Sequence, residues 1–503
     1  MGGSVLQKTK NMKRYILSAV SAFAIITGLF SQNVDDALRY SQNFYGGTAR
    51  AISMGDAFTS LGADLSALSL NPAGAGMFRK MEISFTPQLT YNNTSSVFNG
   101  TKTNDYRYNF GLPQIGIVGS LISNDNSTGL VSLNFAYSYN QLNNFNENIT
   151  MSGVSTNSSM ADYWARISEG THYTNLTGGA GIAYDTWIMD TIAGSGGKSY
   201  GTTFSHYGDS THSTYGQTIT RVITDDGYKG EHNFTLGANF SNKFFLGATF
   251  GVNTIHYIGH YDHSESDYSN VIYDFKNFSY TNHFEANGTG YAFKIGAIYR
   301  PIDLIRIGFA FHAPIGFRMH EYFYDNIAST FDNGDKYTSS NDPLRYDYTL
   351  STPMRLLGGI SFQVKKVAIL SADYEYVDYT QAKFSRASDG YDYTNENQAI
   401  QNILSKSSNL RFGAEFRFGS VYVRGGYGLY GSAFAKGEAN HSLTYNTISG
   451  GVGYRQNNFY IDFAYRNLFY TRVYNMYYDP INPVATTING SINTFTATIG
   501  MKF

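Results

Sequence analysis

The residues with the clearest potential for chemistry lie in two polar loops of the predicted fold. Gly197-Lys198-Ser199 resembles the end of a phosphate-binding loop, but Ile192 stands where that motif requires glycine. Gly197–Gly201 has the spacing of a Gly-x-Ser-x-Gly elbow, yet lacks the flanking strand and helix that the elbow requires. His260 and His263 are spaced like a metal-binding pair without a third ligand. We therefore predict no enzyme activity, no cofactor and no metal site.

Charged side chains recur on one face of the extended segments in the C-terminal half of the chain. In Ser408–Tyr430, apolar residues occupy alternate positions on either side of Gly419-Ser420, which predicts a β-hairpin. The opposite faces of this hairpin and its neighbours carry Asp373, Glu375, Arg411, Glu415, Arg417, Arg424, Asp462 and Arg466.

These charges suit the interior of a barrel in two different ways. Charges in a narrow lumen are costly unless they are paired or hydrated, so an ion-pair network that stiffens the wall is one interpretation. The other is that one arginine binds the carboxylate of a ligand, for which its bidentate geometry is suited. The sequence leaves both open.

The composition is typical of a strand-rich membrane protein. The 503 residues include 52 glycines, 43 tyrosines and 36 phenylalanines, and only 15% are charged, against roughly 25% in soluble domains. This suits strands with one lipid-facing side and one wet side. A net charge of −2 argues against nucleic-acid binding, and the absence of cysteine excludes disulfides and thiolate metal sites.

The first residues have the features of an export signal. Lys13-Arg14 precedes the apolar stretch Tyr15–Phe30, and cleavage is expected near Ser31-Gln32, so residues 1–31 are predicted to be a signal peptide with upstream residues. No later stretch approaches the roughly 18 apolar residues of a membrane helix. An exported chain without such helices can span a membrane only as a closed barrel.

Residues 81–503 are predicted to form that barrel. Alternating segments recur about fourteen times, and their connections alternate between very short turns and long loops, of which Leu142–Gly230 is the largest. Bacterial outer-membrane barrels have short turns at one end and long loops at the other. The predicted fold class is therefore all-β, a transmembrane antiparallel β-barrel. The predicted strands are Met81–Tyr91, Tyr108–Ile122, Thr128–Gln141, Glu231–Phe240, Lys243–Ile258, Phe284–Arg300, Asp303–Pro314, Asp347–Val364, Val367–Ser385, Asn409–Phe418, Val421–Phe434, Leu443–Arg455, Phe459–Val473 and Ile492–Phe503.

The segment between the signal and the barrel, residues 32–80, differs from the rest. It is rich in small residues, and its motifs are Gly47-Thr48-Ala49-Arg50-Ala51, Met54-Gly55-Asp56-Ala57, Asp64, Ser66-Ala67 and Asn71-Pro72-Ala73-Gly74. Together they resemble the N-terminal hatch of the FadL/TodX outer-membrane transporters. The resemblance implies a partly helical hatch that plugs the lumen, with Asn71, Pro72, Ala73 and Gly74 in its signature motif.

One predicted strand, Tyr108–Ile122, carries residues that weaken strand pairing. Gly111 contributes no side chain and Pro113 lacks an N–H, which predicts a bulge or gap in the wall. In FadL-like barrels an inward kink of the third strand opens the wall sideways. We therefore predict a lateral gate with Gly111 and Pro113 on one side and Asn71–Gly74 on the other.

The expected function is passive transport of hydrophobic small molecules, such as long-chain fatty acids, other lipids or hydrocarbons, across the outer membrane of a Gram-negative bacterium. The expected partners are outer-membrane lipid, lipopolysaccharide and the ligand, around a monomeric barrel. Two alternatives remain: a barrel that holds proteins of a surface-secretion system through its loops, and a general porin with an open lumen.

Overall fold

The structure is a computed structural model, and it describes residues 33–123, 128–204, 214–365, 367–477 and 484–503. The predicted signal peptide lies outside these residues. Among the described residues, no helix is long and apolar enough to cross a membrane.

The main sheet closes on itself as an antiparallel barrel with 14 strand positions, which confirms the predicted fold class. The first strand pairs with the last, from Ile83 opposite Met501 to Val97 opposite Thr487. The described strands are β1 (Glu82–Phe98), β2 (Thr101–Ser123), β3 (Leu130–Asn144), β4 (Glu147–Val154), β5 (Met189–Thr191), β6 (Tyr200–Thr202), β7 (Thr218–Phe240), β8 (Phe244–Ser266), β9 (Asn277–Ile302), β10 (Ile305–His312), β11 (Gly316–Thr330), β12 (Lys336–Ser340), β13 (Leu344–Ser351), β14 (Arg355–Val364), β15 (Ala368–Asp378), β16 (Lys383–Ser385), β17 (Lys406–Phe418), β18 (Val421–Tyr430), β19 (Tyr445–Gln456), β20 (Phe459–Asn475) and β21 (Ala485–Lys502).

Four positions of the wall are made of two strands in line, and the last of them is β15 with β16, which pair with β14 and β13 respectively. β3 and β4 both pair with β7, β10 and β11 both pair with β9, and β14 and β13 pair with β10 and β11 respectively. Proline accompanies two of the breaks, at Pro314 and Pro353, because it cannot donate to the ladder.

The apolar side chains of the wall point outward. On β17, Phe412 and Phe416 are 45% and 44% exposed, whereas Arg411 and Glu415 between them are buried. The same alternation places large apolar side chains on the outside of every wall position, for example Phe85, Ile115, Phe135, Leu236, Phe250, Phe293, Phe309, Ile360, Leu370, Phe412, Val423, Val452, Phe463 and Phe495. An apolar belt around a barrel with buried polar groups fits a lipid environment.

The first hairpin differs from the prediction. β1 and β2 continue past the expected strand ends to a tight turn at Asn99-Gly100, where both residues have positive φ. Asn-Gly is a favoured pair for such a turn. Because Asn92–Asn104 is polar on both faces except at Val97 and Phe98, the strand alternation does not show in the sequence.

The hatch lies inside the barrel. Its helices are α1 (Val34–Ser41), α2 (Ala49–Ser53) and the 3₁₀ turns η1 (Ser66–Ser69) and η2 (Pro72–Met77). Each helix except η1 begins at a side chain that satisfies free backbone N–H groups: Asn33, Thr48 and Asn71. Asn71-Pro72 follows the turn η1, and the side chain of Asn71 begins the turn η2.

The long loops form a cap with its own core at one end of the barrel. The cap includes α3 (Met160–Ser168), η3 (Tyr173–Asn175), α4 (Gly178–Asp185), β5 and β6, with η4 (Tyr379–Gln381) and α5 (Thr394–Ile403) beside it. Of the cap helices, α4 ends at Asp185, shortly before Trp187, whose φ is positive.

Candidate functional site

The side chain of Asn71 fixes the hatch to the wall. Its Nδ2 donates to Thr59 O at 2.7 Å and to Ala297 O of β9 at 3.2 Å, and its Oδ1 accepts from Ala73 N at 3.0 Å. Asn71 is completely buried. One side chain therefore joins two parts of the hatch to each other and to the barrel.

Inward charges on other wall strands also bind the hatch, away from the contact of Asn71 with β9. Glu415 accepts from Arg424 Nε of β18 at 2.6 Å and from Arg50 Nε of α2 at 3.0 Å. Arg424 Nη1 also donates to Asp462 Oδ1 of β20 at 2.6 Å. One ion-pair chain thus crosses three wall strands and includes the hatch, which is the pairing that makes buried charge tolerable.

A second ion-pair cluster centres on Glu375 of β15. Its carboxylate accepts from Arg355 Nη1 at 2.5 Å and from Arg411 Nη1 at 2.7 Å. Arg355 also donates to the carbonyl of Ser41 at the end of α1. This cluster therefore joins three wall strands to the first hatch helix.

Further wall charges contact the hatch singly. Asp373 Oδ2 accepts from Thr59 N at 2.7 Å, and Arg466 Nη1 lies 3.3 Å from Asp56 Oδ2. Burial raises the pKa of Asp56 to about 6, against the attraction of the Arg466 guanidinium. Arg417 is the exception: it is exposed at the end of its strand and donates to Gly419 O at 2.9 Å.

A small cavity with cationic walls lies beside the end of α1. Lys229 Nζ donates to Tyr40 O at 2.7 Å and to Asn43 Oδ1 at 3.0 Å, and Lys294 Nζ pairs with Glu231 Oε2 at 2.5 Å. Arg355 and His312 complete the polar lining. The carbonyls that end α1 therefore take hydrogen bonds from two cations of the wall, as favoured at a helix C-terminus.

Beyond this cavity, α1 packs into an apolar cluster. Ala37, Leu38 and Tyr40 are buried there among side chains from the wall and from α5. The other members of the cluster are mainly Phe145, Ile255, Tyr257, Phe317, Met319, Tyr348, Leu350, Phe384, Tyr393 and Ile400. This is the largest apolar cluster in contact with the hatch among the described residues.

The wall has a seam between β2 and β3. Backbone pairing of these strands begins at Gln114 opposite Asn140 and runs toward Ser123, so Thr101–Pro113 has no backbone partner on β3. The bulge predicted at Pro113 is present, because the pairing with β1 shifts at this point. At this point the hatch takes the place of β2 along the edge of β3, because Gly46 N donates to Gln141 O at 2.8 Å.

Side chains close the remainder of the seam in place of a backbone ladder. Inward residues of β1 donate to alternate carbonyls at the start of the in-line strand β4. The bonds run from Asn92 to Asn146 O (3.1 Å), from Thr94 to Asn148 O (2.6 Å) and from Ser96 to Thr150 O, and Asn99 of the following turn donates to Val154 O (3.0 Å). A seam held by side chains can open without breaking a strand pair.

The structure brings only some of the predicted site residues together. Pro113 lies at the seam, where its Cβ is 3.3 Å from the Cβ position at Gly46. Asn71–Gly74 does not lie beside it but packs against β8 and β9 on another part of the wall. The hatch segment at the seam is therefore 44–46, and Gly111 lies at the same bulge.

The residues singled out for other chemistry do not form a site. His260 and His263 lie on β8 rather than in a loop; His263 is buried beside Glu265, while His260 is half-buried beside Asp262. Gly197–Gly201 remains outside any strand-to-helix turn. Among the residues described, no group of three or more potential metal ligands is present.

A closed barrel with an apolar outer belt and a lumen filled by its own N-terminal segment defines a plugged transmembrane β-barrel. No family model and no curated protein matches the sequence. Among solved structures, the chain is similar to the toluene transporter TodX of Pseudomonas putida, with 12% identity, a TM-score of 0.51, and 92% of this chain and 100% of TodX covered. It is also similar to a Pseudomonas aeruginosa FadL homologue, with 13% identity, a TM-score of 0.53, and 91% and 99% of the two chains covered. The chain thus has the FadL/TodX fold, as the hatch motifs predicted.

Proposed function

We propose that this barrel transports hydrophobic small molecules passively across the outer membrane of a Gram-negative bacterium. The observation that carries the proposal is the apolar cluster around α1, inside a lumen that the hatch fills. A water-filled pore does not dissolve apolar solutes, whereas wall side chains of this composition do so once α1 moves aside. The filled lumen argues against the general porin.

The proposed path begins at the cap and ends in the bilayer. An apolar solute takes the place of α1 in the apolar cluster when α1 shifts, and it leaves through the seam when 44–46 moves away from β3. The fold shared with TodX and the FadL homologue supports this path, as does a seam closed by side chains. Lys229 and Arg355 then become available to an anionic end group of the solute.

Uptake by cells tests the function directly. In cells that lack their own channels for these solutes, the protein is expected to raise uptake of radiolabelled hexadecanoate, of toluene, or of both, above that of cells with an empty vector. Native mass spectrometry of the purified barrel should show a bound apolar molecule. Copurification of a secreted protein without any such molecule would instead favour the secretion-system alternative.

Pro113→Val tests the exit. A residue with an N–H and a preference for strands should extend the β2–β3 pairing and narrow the seam. We expect slower uptake with unchanged unfolding in denaturant. Pro343→Val, in an exposed loop, is the matched control and should leave uptake unchanged. Equal uptake by both variants would contradict an exit at the seam.

A further inference from the structure

The inner wall carries a belt of glycines wherever it touches the middle of the hatch. We call the following eight residues the glycine belt: Gly237, Gly247, Gly296, Gly308, Gly359, Gly413, Gly426 and Gly451. They lie on β7, β8, β9, β10, β14, β17, β18 and β19. Several face each other directly across strand pairs, such as Gly247 with Gly237 and Gly296.

A side chain at any of these positions would collide with the hatch. A Cβ on Gly247 would meet the carbonyl of Pro72, one on Gly308 would meet the carbonyl of Thr59, and one on Gly426 would meet the N of Gly55. At most of these positions the collision is with hatch backbone, which cannot rotate away as a side chain can. The wall and the hatch are therefore in direct contact over eight strands, and at most of them the contact is with hatch backbone.

The part of the hatch within the belt is also the most deeply buried. Residues 51–62 and 64–76 are buried at every position. We call residues 53–77 the floor. By contrast, 42–44 are half-buried, and Ser41 and Asn43 line the cavity. We call residues 33–47 the leading segment; the ends of wall side chains and the two backbone bonds from Phe44 and Gly46 hold it.

We propose that the glycine belt makes the floor a fixed part of the barrel, so that the leading segment alone moves when a solute passes. Displacing the floor would separate close-packed surfaces along eight strands, whereas displacing the leading segment breaks a few hydrogen bonds next to an existing cavity and withdraws α1 from an apolar cluster that an apolar solute can fill in its place. The hatch is thus a single chain segment with one fixed part, the floor, and one mobile part, the leading segment. This inference rests on the proposed function.

Engineered disulfides test the leading segment and the floor independently, and the chain contains no cysteine of its own. Gly46→Cys with Gln141→Cys ties the leading segment to β3, since the Cβ positions are 3.6 Å apart. Ser69→Cys with Asn233→Cys ties the floor to β7 without altering a belt glycine, since the Asn233 Nδ2 lies 3.1 Å from the Ser69 Oγ. We expect oxidation of the first pair to abolish hexadecanoate and toluene uptake until a reductant is added, and oxidation of the second to leave uptake unchanged.

Loss of uptake on oxidation of the floor pair, or failure of that pair to oxidise, would overturn the proposal. Hydrogen exchange tests it even if neither solute is transported, because it does not depend on uptake. We expect the floor amides to exchange slowly and those of the leading segment to exchange fast. Equal exchange in both would overturn the fixed floor, whereas absent uptake with the expected exchange would count against the transport function alone.

Neighbouring glycines supply the matched control for the belt. Gly358 and Gly425 adjoin Gly359 and Gly426, but a Cβ on either would have no neighbour closer than 4.0 Å. Gly426→Ala should speed exchange of the floor amides, because the added methyl separates the floor from the wall. Gly425→Ala should leave this exchange unchanged. If the two variants exchange alike, the belt does not hold the floor.

Discussion

Replacement of Glu375 with glutamine is expected to lower the free energy of unfolding by about 3–5 kcal/mol, the usual cost of removing one partner of a buried ion pair. Glu375 is completely buried and accepts from both Arg355 and Arg411. Without its charge, two guanidinium groups remain in the lumen without their shared counter-charge. Urea unfolding from lipid vesicles, followed by circular dichroism, measures the loss.

Two further variants identify the cause of that loss. Adding Arg411→Met to the Glu375→Gln variant should restore part of the stability, because it removes one of the uncompensated charges. Asp303→Asn removes a carboxylate that is 97% exposed beside Arg300, and it should change stability by less than about 1 kcal/mol. A Glu375→Gln barrel as stable as the Asp303→Asn control would show that the cluster is hydrated and weak.

Replacement of Asn71 with alanine is expected to loosen the plug and admit ions. The change removes the bonds to Thr59 O, Ala297 O and Ala73 N together. Buried groups left without partners cost about 1–3 kcal/mol each. Because these groups belong to the hatch and to one wall strand, we expect the lost free energy to weaken mainly the binding of the hatch to the wall. We expect planar bilayers to show steady ion conductance well above that of the unaltered protein.

The control for this variant is Asn104→Ala, which removes an exposed amide from the first hairpin. It should leave the conductance at the level of the unaltered protein. If the Asn71→Ala variant shows no more conductance than the unaltered protein, the other contacts of the hatch keep the lumen closed without this side chain.

The barrel could be predicted because its signal is local. Alternation, as at Arg411 and Phe412, shows which face of a strand meets lipid, and short turns show which strands are neighbours. The bulge at Pro113 could be predicted for the same reason, because proline restricts the local backbone and cannot donate to the ladder.

The contacts between hatch and wall could not be predicted, because no local signal says which strand a luminal segment meets. Asn71–Gly74 was therefore paired with Pro113, although it packs against β8 and β9. Lys229, Glu231 and Lys294 were missed as site residues. The polar residues at every second position of β7, from Lys229 to Thr235, were the available sign of an inner face in contact with something polar.

The hatch contacts also restrict the order in which the molecule can be assembled. Ala49 N donates to Thr498 Oγ1 of the last strand at 2.7 Å, and α2 packs beside β18, β19 and β20. A finished cylinder offers no gap through which such a close-fitting body could enter. The N-terminal segment must therefore already be folded in place when the last strand pairs with the first and the barrel closes around it.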